Sequence, residues 1–203
     1  MSIDRKKQIL LATLELAAKR GLGNVSMSMI ADKVGIKKPS LYKHFGSKDE
    51  LVEAMYQYLR QQAKDSAGIK PVDYSTLFAG RKAIEILRSV VQNYINMNQQ
   101  EHMFNFYKVI YSERSLEPMA ARIVAEETSK MIIATKQLFY AMEVHKLLHF
   151  RNADMSAVSF ALTVHGLMDY ELDRGNGNGE DKETDDNLME GYLQWFCEEN
   201  VAE

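Results

Sequence analysis

The chain has 203 residues, 46% of them apolar, with 28 acidic against 25 basic side chains and a formal charge of −3. That length suits one domain or two small ones, and so apolar a chain can bury a core without metal or disulfide support. The single cysteine, Cys197, excludes an intrachain disulfide framework and fits a reducing compartment, and no run approaches the ~18–20 apolar residues of a membrane-spanning helix.

The first predicted element is a helix over residues 4–20. Ile9, Ala12 and Leu16 share one face, and Leu10, Leu14, Ala17 and Ala18 widen the stripe. Gly21 supplies a left-handed stop. The basic start followed by apolar residues is only superficially like a signal peptide. Glu15 interrupts it, Lys19 and Arg20 end it, and no small-residue cleavage site follows, so a cytoplasmic protein is expected. Ser26 opens a short segment, SMSMIADKVG, with Ile30, Ala31 and Val34 facing inward and Gly35 closing it. A third short helix covers roughly 38–44. Ser47 and Glu50 have the S-x-x-E spacing of a capping box, opening a long helix through about residue 67.

Gly68 to Tyr74, with Pro71, is the predicted domain boundary. Further helices are expected over 74–98, 101–113, 118–144, 154–173 and 186–200, with Pro118 near the first position of its helix, where a missing N–H costs little. The stretch GNGNGEDKETDD (175–186) reads as a solvated loop. Counted from Asp173 as a calcium loop it has Asn178 where glycine is needed and Thr184 where glutamate is needed, so calcium is not expected. The fold class is therefore all-α: an N-terminal helix-turn-helix domain over 1–50, a connecting helix over 51–70, and a helical C-terminal domain over 71–203.

Charge divides along the same lines. Residues 1–60 hold 11 Lys and Arg against 6 Asp and Glu, a surplus of five, while the remainder holds 14 against 22, a deficit of eight. A basic first third points to a polyanion partner. Double-stranded DNA is one; an acidic protein surface, met by a helical interaction module without DNA, is the alternative.

The segment GIKKPSLYKHFGSKDEL (35–51) discriminates between them. A helix-turn-helix places its second helix in the major groove, with polar residues outward and apolar anchors inward. Leu41 and Phe45, four apart, can anchor, and Ile36 can seal the turn. Lys37, Lys38, Ser40, Tyr42, Lys43 and His44 are then free to face a duplex. Pro39 fixes φ in the first turn and offers an apolar surface for a thymine methyl, and Lys48 adds charge where a helix N-terminus already favours phosphate.

Residues 25–55 closely resemble the DNA-binding domain of the TetR family of bacterial transcription regulators. The matching elements are Ile30-Ala31, Val34-Gly35, Ser40-Leu41-Tyr42, His44-Phe45 and Lys48-Asp49-Glu50-Leu51, with the upstream helix ending Lys19-Arg20-Gly21. The resemblance covers about residues 5–60. It implies that Ser26 caps the second helix, with Met27 and Ser28 at a phosphate-facing entrance. It also implies that Lys38, Pro39, Ser40 and Lys43 face the groove, and that Tyr42, His44 and Lys48 contact phosphates. One departure is Lys37, where the family often carries a Ser or Thr cap; lysine cannot accept the backbone N–H bond of a cap.

The resemblance further implies a C-terminal domain that binds a small-molecule effector and dimerises. Independently, HMFNFYKVIY (102–111) is dense in aromatics, and His102, Phe106, Tyr107, Phe139, Met142 and His165 are the expected effector-pocket residues, with ordinary core packing as the competing reading. Helices 154–173 and 186–200 present Ala161, Leu162, Gly166, Leu188, Tyr192, Trp195 and Phe196, a set suited to a four-helix bundle across a two-fold axis. Such a homodimer spaces its recognition helices about one DNA turn apart, ~34–36 Å, and reads a near-palindromic operator.

No nucleophile, base and orienter stand at a recognisable spacing, so no catalytic residue and no enzymatic activity are expected. His145 and His149 have i, i+4 metal-ligand spacing if their helix continues, but Lys146 and Arg151 beside them disfavour a cation, and neither metal nor other cofactor is expected.

Overall fold

A computed structural model describes residues 2–67, 73–176 and 187–202. Among the described residues are ten α-helices: α1 (Ser2–Arg20), α2 (Met27–Val34), α3 (Lys38–Tyr42), α4 (Lys48–Ala67), α5 (Tyr74–Phe78), α6 (Ala83–Asn98), α7 (Glu101–Glu113), α8 (Pro118–Val144), α9 (Ala153–Asn176) and α10 (Leu188–Glu199). A 3-10 turn, Leu22–Asn24, joins α1 to α2. Among the described residues the only β-type pairing is an isolated bridge between Leu148 and Val201, so the all-α expectation holds.

The chain forms two compact units: Met1–Lys70 with Met97–Val124, and Pro71–Asn96 with Ala125–Glu203. The division differs from a boundary at residue 70, because α7 and about the first two turns of α8 belong with the N-terminal helices. The reason is apolar. Met103, Phe106, Val109 and Ile110 of α7, with Ala120 and Ile123 of α8, join one buried cluster with Ile9, Leu14, Leu41, Leu51, Tyr56 and Leu59. The second unit has its own core, where Phe139 stacks on Phe150 at 4.6 Å and meets Phe160 and Phe196 at 5.3 and 5.4 Å.

Two expected elements differ. The single helix over 74–98 is broken into α5 and α6. Gly80 adopts φ +67°, a conformation that does not propagate a helix. Asp73 caps α5 through bonds from the Ser75 and Thr76 backbone N–H groups, while Arg81 donates to the carbonyls of Leu77 and Glu85 across the break. Helix α8 ends at Val144, before His145, and Lys146 takes φ +55°, so His145 and His149 share no helical face. His145 instead meets the Phe78 ring edge-on at 5.2 Å, and His149 lies 3.9 Å from Glu143. The stretch 175–186 begins inside α9, at Gly175 and Asn176, and its remaining residues lie outside the described ones, as does the Pro71 break.

Candidate nucleic-acid interface

The interface is built by three short-range devices in the first unit. The first is the cap on α2: the Ser26 hydroxyl accepts the Met29 N–H at 3.3 Å, an arrangement worth about 1 kcal/mol. The second is the turn. Gly35 sits at φ 70°, ψ 35°, its N–H donates to the Asp32 carbonyl and the Ile36 N–H donates to the Ala31 carbonyl. That pair of bonds is a Schellman motif, closed by Ile36 packing on the apolar cluster that holds Ala31. The turn therefore fixes the angle between α2 and α3 through backbone geometry that only glycine adopts cheaply.

The third device is anchoring. Leu41 and Phe45 are buried in the first unit's core, and the Phe45 N–H donates to the Leu41 carbonyl. With that face turned inward, Lys37, Lys38, Pro39, Tyr42 and Lys43 are exposed, and Ser40 and His44 are half-buried. Lys37 makes no side-chain capping bond, as its chemistry requires, and Pro39 lies in the first turn. The Lys38 ammonium lies 6.0 Å from the centre of the Tyr42 ring, bracing two of the outward side chains against each other.

Neighbouring charges sort themselves. Lys19 and Lys33 both bond Glu15, at 2.8 and 2.9 Å, and their hydrogen bonds hold the Glu15 carboxyl below its usual range. Those two lysines are neutralised within the domain. Among the described residues no carboxylate pairs with Lys37, Lys38 or Lys43, so α3 presents its positive charge outward.

Three sequence-derived placements change in detail. Met27 is buried in the core, so at the entrance to α2 it can offer only its backbone N–H. The Lys48 ammonium donates to the Leu22 carbonyl at 2.7 Å, while Glu113 of α7 accepts from the Leu22 N–H at 3.2 Å. Leu22 of the α1–α2 turn is thus held at both its N–H and its carbonyl, in the two peptide groups that flank it, and Lys48 keeps two of its three donors. The Glu50 carboxylate accepts from the Gly46 N–H at 2.6 Å, one residue upstream of the capping-box geometry, while Ser47 accepts from the Glu50 N–H at 3.0 Å. Glu113 was invisible to local pattern because its partner is 91 residues away.

The expected effector-pocket residues fall into both units. His102, Phe106 and Tyr107 lie on α7 in the first, where Phe106 is buried and Tyr107 sits between the rings of Phe106 and Tyr111, at 6.3 and 6.0 Å. Phe139 and Met142 are buried in the second unit's core, and half-buried His165 on α9 lies 3.9 Å from Asp169. Phe106, Phe139 and Met142 are packed core residues. Of the expected dimer residues, Ala161 and Phe196 are enclosed in the protomer, at 2% and 4% exposure. Leu162, Leu188 and Trp195 stand out at 48%, 43% and 54%, and Gly166 is exposed. An open groove of about 560 Å³ lined by Thr163, Leu167, Leu188, Gly191, Tyr192 and Trp195 runs between α9 and α10.

Comparisons with known proteins fit this architecture. Residues 9–55 match the family model described as bacterial regulatory proteins, tetR family. Over 54 residues the chain is 44% identical to the HTH-type transcriptional activator FasR of Mycolicibacterium smegmatis, a match covering 27% of this chain and a quarter of that protein's length. A Saccharomonospora viridis protein solved in complex with choline superposes with a TM-score of 0.70 at 20% identity, covering all of both chains. MexZ, described as a key repressor responsible for antibiotic resistance in Pseudomonas aeruginosa, gives 0.66 at 18% identity, covering 96% of this chain and 94% of that one. At such identities the structures establish the fold alone. With the capped and glycine-turned helix pair, residues 9–55 are similar to the N-terminal segment of the tetR family of bacterial regulatory proteins, and the whole chain shares the fold of the solved structures.

Proposed function

We propose that the protein is a homodimeric transcription regulator that binds a near-palindromic operator through α3 and releases it on binding a small organic effector. The observation that carries the reading is the face of α3: Lys37, Lys38 and Lys43 stand clear of carboxylates, with Leu41 and Phe45 buried behind them. Lys38 and Lys43 reach guanine O6 and N7, and Tyr42, His44 and Lys48 take phosphates.

The two-fold axis runs through α9 and α10, whose exposed Leu162, Gly166, Leu188 and Trp195, with half-buried Tyr192, pair with their copies. The effector favours one of two dimer conformations by its differential affinity for them. Repression follows where the operator overlaps a promoter; the activator relative makes activation the second reading, and a reporter carrying the operator at its natural distance separates them.

Operator fragments selected from the source genome provide the test. Lys43→Ala should weaken their binding and flatten the dependence of log K on log salt by about 1. An affinity and slope equal to wild type would remove α3 from the groove. A panel of small organic molecules beginning with choline should include one that releases the fragment.

A further inference from the structure

We infer that Tyr42 is a positioning residue for base readout. Its ring holds the ammonium of Lys38, one helical turn upstream, so that Lys38 discriminates a guanine at one position of each half-site. The inference rests on the proposed DNA-binding reading and deepens it, since that reading gives Lys38 and Lys43 the same role and gives Tyr42 only a phosphate.

A lysine by itself is a weak reader. Its charge sits on a flexible four-carbon stem with three rotatable donors, so holding it in one direction gives up most of its rotamer freedom. Guanine offers O6 and N7 side by side in the major groove, and choosing it over another base requires the ammonium to be kept where both are in reach. Side chains of a helix lean towards its N-terminus, so a residue at i+4 lies over the turn that carries residue i. In α3 this sets the Tyr42 ring beside the Lys38 stem, with the ammonium 6.0 Å from the ring centre. Such a contact is weak in water and strengthens where a groove excludes water. Pro39 stiffens the turn from which the lysine projects.

Two features set this pair apart from its surroundings. Among the described residues, Tyr42 is the one exposed aromatic ring of the first unit, at 44%, whereas Phe45, Tyr56 and Phe106 are buried in its core. Packing within the protomer therefore gives no reason for an aromatic side chain at this position. The second feature is the contrast with Lys37 and Lys43, which lie over no ring among the described residues. Of the three outward ammonium groups on this segment, only that of Lys38 has a preferred direction before DNA arrives, and a group ordered in advance loses less on binding. The Tyr42 hydroxyl, at the far end of the same ring, makes no hydrogen bond among the described residues. A phosphate bound there fixes the ring, and the ring fixes the ammonium, so a backbone contact without sequence information is passed on into the choice of base.

The test uses the full-length protein and duplexes of ~30 base pairs, about three helical turns, that carry a selected operator with each base pair of one half-site substituted in turn. For the wild type, replacing the guanine read by Lys38 should raise Kd by about 5- to 100-fold. Lys38→Ala should abolish that penalty, which identifies the position. Tyr42→Leu should reduce the same penalty by about 2- to 5-fold, with the melting temperature and the penalties at other positions kept. Tyr42→Phe, which keeps the ring and drops the hydroxyl, should weaken binding to all duplexes alike and preserve the penalty. Added to Lys38→Ala, Tyr42→Leu should change no penalty further. Tyr42→Leu with the wild-type penalty at that position, or Lys38→Ala with the wild-type penalty at every position, would overturn the inference while leaving the helix-turn-helix reading intact. A wild type that binds every duplex equally would overturn the parent reading, and this one with it.

Discussion

Tyr56 is fully buried on α4, its ring 6.4 Å from that of Phe106, and its hydroxyl meets no hydrogen-bond partner among the described residues. Burial pushes its pKa up to about 12, with the nearby Glu113 and Glu117 carboxylates disfavouring the phenolate further. The folded state therefore holds this proton more tightly than the unfolded chain, whose tyrosines titrate near 10. The stability linked to this group is complete below about pH 10 and is lost as pH rises towards about 12. Tyr56→Phe should remove that component from an alkaline denaturation series. At neutral pH it should hold or raise stability, since an unpaired buried hydroxyl costs roughly 1–3 kcal/mol. A pH profile of Tm unchanged between wild type and variant would contradict this. Cys197, the single thiol, is likewise pushed up by burial, to about 11, and should react slowly with alkylating agents at pH 7.5–8 in the native protein, measured against the unfolded chain.

At the scale of elements, the helix pair proposed to meet DNA is set by its turn. Adding a Cβ at Gly35 meets no atom within 4 Å, so the cost of Gly35→Ala is that of its left-handed backbone alone, about 1–2 kcal/mol. Chemical denaturation should show that loss, with α2 and α3 retained. The Leu22 clamp makes a different forecast. Lys48→Met removes a 2.7 Å bond to the turn before α2 and should lower stability by about 1 kcal/mol as well as weaken DNA binding. Lys43→Ala should affect binding only, because exposed Lys43 makes no such bond. Equal stability losses in the two variants would argue against the clamp. The capping box, the Gly35 turn and the Leu41/Phe45 anchors were legible in sequence because each is decided within five residues. The break at Gly80 was missed because the apolar period resumes on its far side, and one glycine inside a periodic run is easily absorbed into it.

For the whole molecule, assembly turns on which faces the protomer leaves uncovered. Trp195 is 54% exposed, so replacing it leaves the protomer core intact, whereas Phe196 beside it is 4% exposed and packs against Phe139, Phe150 and Phe160. Trp195→Asp should therefore yield folded monomers in sedimentation, with unchanged helical content. A dimer that persists would remove α9 and α10 from the two-fold axis. Phe196→Asp should unfold the second unit instead, by burying a charge among aromatic rings. Within that unit, Arg88 of α6 forms a two-pronged ion pair with Glu190 of α10, its Nε bonding at 2.9 Å, and the pairing lowers the Glu190 carboxyl.

By itself the sequence determined the all-α class, the helix-turn-helix with its outward-facing lysines, and the positions of most helices, because periodicity, caps and glycine stops act over a few residues. Only the tertiary structure decided where the aromatics went. Phe106 and Phe139 carry the same local signal, yet α7 packs with the N-terminal helices and α8 brings Phe139 to a different core. It also decided that Lys48 and Glu113 hold the backbone of Leu22 between them, and that Ala161 and Phe196 face inward while Trp195 does not. Those outcomes depend on contacts between segments tens of residues apart, where a side chain's chemistry is fixed but its neighbour is set by how the helices stack.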